Sequence, residues 1–160
     1  MKAALVPETQ QHAAAANNVS QETNRRLRVL VADDSPVNQE VAAGLLEMQG
    51  HKVSLADSGR QAIALWRQKK FDVILMDVEM HDIDGLAATA TIRQEEAGTG
   101  HRTPILAMTA HAVEGFKERC LAAGMDGYIS KPFQPDELFS SLAIHCPARS
   151  DAAEVSTSPA

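Results

Sequence analysis

Five polar side chains of this chain close short apolar runs. The Asp33-Asp34 pair follows Leu27-Arg28-Val29-Leu30-Val31-Ala32, and Asp77 follows Val73-Ile74-Leu75-Met76. Thr109 follows Pro104-Ile105-Leu106-Ala107-Met108, and Lys131 follows Gly127-Tyr128-Ile129-Ser130. Three carboxylates brought together repel one another, so one must hold a proton or a cation must bind. Oxygen ligands select a hard ion, Mg²⁺ before others. An ammonium and a hydroxyl beside such an ion would neutralise a phosphoryl group in transfer. Asp77 would then be the nucleophile and carry an acyl phosphate.

That chemistry requires all five residues to meet, and the pattern between them says how. Four unbroken apolar residues before Asp77 read as a short strand buried on both faces. Ser35-Pro36 reads as a helix N-cap followed by proline at the first helical position. Val37, Val41, Leu45 and Met48 follow at helical spacing as an expected core face, and Gly50 as a left-handed stop. Lys52-Val53-Ser54-Leu55-Ala56 alternates like a half-exposed strand. Ser58 with Gln61 suggests a capping box for a helix to about Arg67, with Ala62, Leu65 and Trp66 inward. A third helix is expected from Asp84-Gly85 to about Glu96, and a fourth from about Val113 to Ala123, stopped by Gly124. Pro135 starts a last one, with Leu138 and Leu142 on one face.

Strand then helix, repeated five times, implies βαβ units and a parallel sheet with helices on both faces. Crossovers should be right-handed. Ligands of such open sheets bind beyond the carboxyl ends of the strands, where the strand order reverses. All five polar residues lie at those ends.

The chain has 160 residues, a net charge of −6 and a pI near 5.4. One domain of ordinary size follows, residues 25–146, between a flexible arm over 1–24 and a disordered tail over 147–160. The acidic balance argues against nucleic acid as a partner. Two cysteines, Cys120 and Cys146, form no CxxC and no zinc spacing, which points to a reduced compartment. The apolar run at the start is too short for a signal peptide, and nothing approaches a membrane span. A cytoplasmic location without membrane contact is expected.

The chain resembles the receiver domains of two-component response regulators from about Leu27 to Ile144. The resemblance rests on Asp33-Asp34, on Met76-Asp77 with Met80 and Asp84-Gly85, on Thr109-Ala110, and on Lys131-Pro132. Asp34-Ser35-Pro36-Val37-Asn38-Gln39 and Cys120-Leu121-Ala122-Ala123-Gly124-Met125-Asp126 look most like receivers of hybrid sensor histidine kinases. The resemblance implies a flavodoxin-like doubly wound sheet of five parallel strands, order 2-1-3-4-5, with five helices. It also implies that Asp77 accepts a phosphoryl group from a phosphohistidine. The donor would be a histidine kinase dimerisation and phosphoacceptor domain or a histidine phosphotransfer protein. Asp34 and Asp77 would ligate Mg²⁺ with the backbone carbonyl of Glu79, and Asp33 would act through a water. Lys131 would contact the phosphoryl oxygens. Thr109 would move toward them and Tyr128 would rotate inward, switching the surface of the fourth helix, fifth strand and fifth helix. Glu79 and His111 would tune the acyl phosphate's lifetime. The Lys131-Pro132 bond would be cis. The family's loop reads Met-Pro where this chain has Met80-His81, so a looser loop around Glu79 is expected.

Read singly, Asp77 is a solvated strand-end acid, Asp33-Asp34 and Thr109 are helix caps, Lys131 is a surface lysine and Tyr128 an edge aromatic. Their joint placement favours the site. His81, His101 and the other histidines read as solvated surface residues, the methionines as core, and Cys120 and Trp66 as packing. A phosphatase or phosphotransferase with an aspartyl nucleophile competes, but that class wants Asp-x-Asp, and Asp77 is followed by Val78-Glu79. A binding module that accepts no phosphate is disfavoured by the full acid set, and no GxxxxGK loop exists for a GTPase. The chain is therefore read as a signalling receiver that catalyses its own aspartyl phosphorylation and dephosphorylation, not as a metabolic enzyme.

Overall fold

The computed structural model describes residues 26–110 and 113–146. The arm, the tail and His111 lie outside the described residues. Five strands run parallel in the order β2-β1-β3-β4-β5. They are β1 (Arg28–Ala32), β2 (Lys52–Ala56), β3 (Val73–Asp77), β4 (Ile105–Thr109) and β5 (Gly127–Ser130). The helices between and after them are α1 (Pro36–Met48), α2 (Gly59–Gln68), α3 (Gly85–Glu96), α4 (Phe116–Ala123) and α5 (Pro135–His145). No described helix is long and apolar enough to cross a membrane.

Alternation along the central strands builds two cores. Leu30, Ala32, Ile74, Met76, Ile105 and Ala107 face α2, α3 and α4 through Ala62, Ile63, Ala88, Ile92, Phe116 and Cys120. Val29, Val31, Val73, Leu75, Leu106 and Met108 face α1 and α5 through Ala42, Leu46, Leu138 and Leu142. Every residue of β3 and β4 is buried, which is why both strands read as unbroken apolar runs. The edge strand β2 is half-exposed but does not alternate as expected: Val53 and Ser54 are both half-buried, Leu55 is 41% exposed and Ala56 is buried.

Three further expectations are corrected. Val37, Val41 and Met48 do not face the core; they are 67%, 44% and 80% exposed. The inward face of α1 is Ala42 and Leu46, with Leu45 at its margin. The fourth helix begins at Phe116, not Val113, because Gly115 sits at φ +87° in the left-handed region and no side chain caps the helix before it. Of the histidines, His51 is buried at 5% exposure, and its Nδ1 accepts the Leu27 amide at 3.0 Å. Burial lowers its pKa.

Candidate functional site

Parallel pairing carries the five residues to one rim. Ala32 is in register with Met76, Asp77 with Met108, and Thr109 with Ser130. The residues that follow β1 and β5 therefore flank the end of β3. Carboxylate oxygens of Asp33, Asp34 and Asp77 lie within 4.8 Å of one another. Lys131 Nζ stands 2.8 Å from Asp33 Oδ2 and 3.3 Å from Asp77 Oδ1. The Lys131 amide donates to the Thr109 carbonyl at 2.7 Å, which ties the end of β5 to β4. The Lys131-Pro132 peptide is cis, as expected. Thr109 is buried at the tip of β4, whereas Tyr128 on the edge strand is 40% exposed. Glu79 is exposed two residues past Asp77, and its amide donates to Asp77 Oδ1 at 3.2 Å.

The loop after β1 is held by its own polar groups. Asp33 Oδ1 accepts the Ser35 amide at 2.9 Å, and Ser35 Oγ accepts the Asn38 amide to cap α1. The Gln39 amide group donates to the carbonyls of Asp33 and Ala56, joining the ends of β1 and β2. Asp33 Oδ2 is buried, and the Lys131 ammonium at 2.8 Å is what offsets its charge.

The loop after β3 is pinned at two places that sequence reasoning did not weigh. Gly85 packs on the Asp77 carbonyl, where a Cβ would come within 2.3 Å of the oxygen. Asp82 accepts the amides of Gly59 and Arg60 at the start of α2, at 3.0 Å each. The Met80-His81 loop thus has anchors besides the absent proline. His81 Nδ1 lies 3.0 Å from Asp34 Oδ2, so this histidine, though 81% exposed, faces the acidic cluster.

Burial pushes the Asp77 carboxyl up to about 6; Asp33 pushes the same way, while Lys131 and the Glu79 amide pull against both. For Lys131, burial lowers the pKa, but hydrogen bonding to Asp33 and the charges of Asp77 and Asp33 outweigh it and raise it. The Asp77 shift has a sign in stability. Its folded pKa of about 6 exceeds the ordinary 3.8, so the folded chain holds the proton more tightly. The resulting stabilisation is complete below about pH 4 and is lost as pH rises through about 6. Without metal, the stability of Asp77→Asn relative to wild type should therefore rise between pH 4 and 7, as read by urea titration at each pH.

The donor set fits a hard divalent cation. Three carboxylates converge, and the ammonium supplies one positive charge against them. The donors are oxygen, which suits Mg²⁺. A cavity of about 590 Å³ lies elsewhere, lined by residues such as Trp66, Phe71, Glu96 and Pro104, and contains none of the five rim residues.

A family model described as the response regulator receiver domain matches residues 29–143. The hybrid signal transduction histidine kinase I of Dictyostelium discoideum is 41% identical over 120 residues, covering 72% of this chain and 7% of that protein. The signal transduction histidine-protein kinase BarA of Escherichia coli K12 is 38% identical over 139 residues, covering 87% of this chain and 15% of that protein. The chain thus spans a small part of these curated relatives. The solved receiver domain of the Pseudomonas aeruginosa PAO1 sensor histidine kinase PA1611 superposes with a TM-score of 0.69 at 39% identity, covering 76% of this chain and 98% of that one. That structure has a magnesium ion coordinated in its active site cleft.

Proposed function

The chain belongs to the response regulator receiver domain family, and on that premise we propose that it takes a phosphoryl group from a phosphohistidine onto Asp77 in a histidine-to-aspartate phosphorelay. The observation that carries this is the buried Asp77 carboxylate within reach of both the Lys131 ammonium and the other two acids. An oxygen of Asp77 attacks phosphorus as the bond to the imidazole nitrogen breaks. The electron pair of that bond returns to the ring, and an acyl phosphate is left on Asp77. Lys131 holds its charge beside the phosphoryl oxygens, and the Thr109 hydroxyl donates to one of them. Asp34, Asp77 and the Glu79 carbonyl would hold Mg²⁺, with Asp33 acting through a water. The bound ion supplies charge neutralisation.

The added dianion then draws Thr109 toward the site, and Tyr128 turns inward from its exposed position. This changes the surface of α4, β5 and α5, or the group passes onward to another histidine. Its lifetime is tuned by Glu79 and His111. The donor is a histidine kinase phosphoacceptor domain or a histidine phosphotransfer protein. Cys120 and Cys146 form no CxxC and no zinc spacing, which fits a reducing cytoplasm. The receiver occupies residues 25–146, between an arm and a tail.

Radiolabel on a phosphohistidine donor should move to this chain in Mg²⁺, fail to move in EDTA, and be released by hydroxylamine as an acyl phosphate. Label that moves equally in EDTA, or that resists hydroxylamine, would reject the reading.

A further inference from the structure

We propose that His81 gives the acidic site an imidazole ligand, so that its selectivity shifts from Mg²⁺ toward later first-row divalent ions such as Ni²⁺ and Zn²⁺. The inference rests on the reading of Asp34 and its neighbours as a metal site. His81 Nδ1 is 3.0 Å from Asp34 Oδ2. Two ligand atoms bound side by side on an octahedral ion, with bonds near 2.1 Å, lie about 3 Å apart. The two atoms therefore already have the separation at which they could share one ion. Packing does not drive the ring there, since the His81 side chain is 81% exposed.

The segment bearing His81 is held on both sides. Asp82, the next residue, accepts the Gly59 and Arg60 amides. Val78 accepts the Gly85 amide at 2.9 Å, and Gly85 packs against the Asp77 carbonyl. The imidazole is thus presented to the cluster from an anchored loop. Among the other described histidines, His51 is engaged with Leu27, at the opposite end of β1 from the acids.

The chemical consequence follows from ligand type. Mg²⁺ dehydrates reluctantly and gains little from a ring nitrogen. Imidazole suits Fe, Ni, Cu and Zn, and affinity rises along the first row from Mn²⁺ toward Cu²⁺. A carboxylate-only rim discriminates weakly among these ions, whereas a rim with His81 favours the later ones.

The test uses the full chain. Mn²⁺-loaded wild type should show the electron spin-echo modulation of a directly bound nitrogen, and His81→Ala and Asp34→Asn should each lose it. Calorimetric titration with Ni²⁺ and Mg²⁺ should show the Ni²⁺-to-Mg²⁺ affinity ratio falling at least about tenfold in His81→Ala. Nitrogen modulation absent from wild type that binds Mn²⁺, or retained in His81→Ala, would overturn the inference, as would an unchanged ratio. In those cases Mg²⁺ binding and labelling of Asp77 would still stand. A wild-type chain that bound no Mg²⁺ and took no label would overturn the metal site itself.

Discussion

Asp77→Asn should bring phosphoryl incorporation from acetyl phosphate or a phosphohistidine donor down to background. The substitution keeps the size and shape of the side chain, so the strand end and Gly85 need not move. It removes the one nucleophilic carboxylate oxygen that Lys131 reaches at the tip of β3. Asp33 cannot stand in, because its carboxylate is fully buried and already engaged by Ser35 and Lys131. Unfolding would not explain the loss. Above about pH 6 the buried charge of Asp77 opposes folding, so its neutral replacement should be the more stable chain. A gel of labelled protein read beside a urea titration separates the two effects. Undiminished labelling of this variant would remove Asp77 from the reaction.

Lys131→Ala should have three effects of different sign. Transfer should slow by about 10²–10³-fold, the range for removing one charge-stabilising donor from a reacting centre. Metal-free stability at neutral pH should fall by roughly 3–5 kcal/mol, since the buried Asp33 and Asp77 lose the cation that offsets them. That deficit should shrink as pH drops and one acid takes up a proton. Mg²⁺ affinity should instead rise, because a competing positive charge has left the acids. Slower transfer with tighter metal binding is an outcome that general damage to the site would not produce. Labelling time courses, urea titrations and calorimetry read the three effects in turn, and wild-type labelling rates in Lys131→Ala would contradict the role given to the ammonium.

The rim was legible in the sequence because its residues terminate strands whose identity is plain. Runs such as Val73–Met76 can be buried on both faces only within a covered parallel sheet, so the residue that ends each run must emerge at the same edge. The parts that were misread depend on contacts between distant segments. In α1, helical spacing allows either Val37, Val41, Leu45 and Met48 or Ala42 and Leu46 to point inward. The small Ala42 lets the helix sit close to the sheet, and side-chain size along one stripe does not show this. The late start of α4 did have a local signal, Gly115, which takes up the left-handed φ that precedes the helix. His51 had none, because its burial depends on the Leu27 amide arriving 24 residues away in sequence. The contact of His81 with Asp34 likewise depends on where two loops cross the rim. The anchoring of its loop by Asp82 and Gly85 depends on how closely α2 and α3 approach β3.

Borohydride converts an aspartyl phosphate to homoserine, which marks the acylated residue permanently. The chain should therefore be phosphorylated in Mg²⁺, reduced, digested and sequenced by mass spectrometry. Homoserine is expected at position 77, with Asp33 and Asp34 intact. Reduction at either of those acids with Asp77 unchanged, or label recovered on a histidine or serine instead, would contradict the assignment of Asp77 as the phosphoryl acceptor.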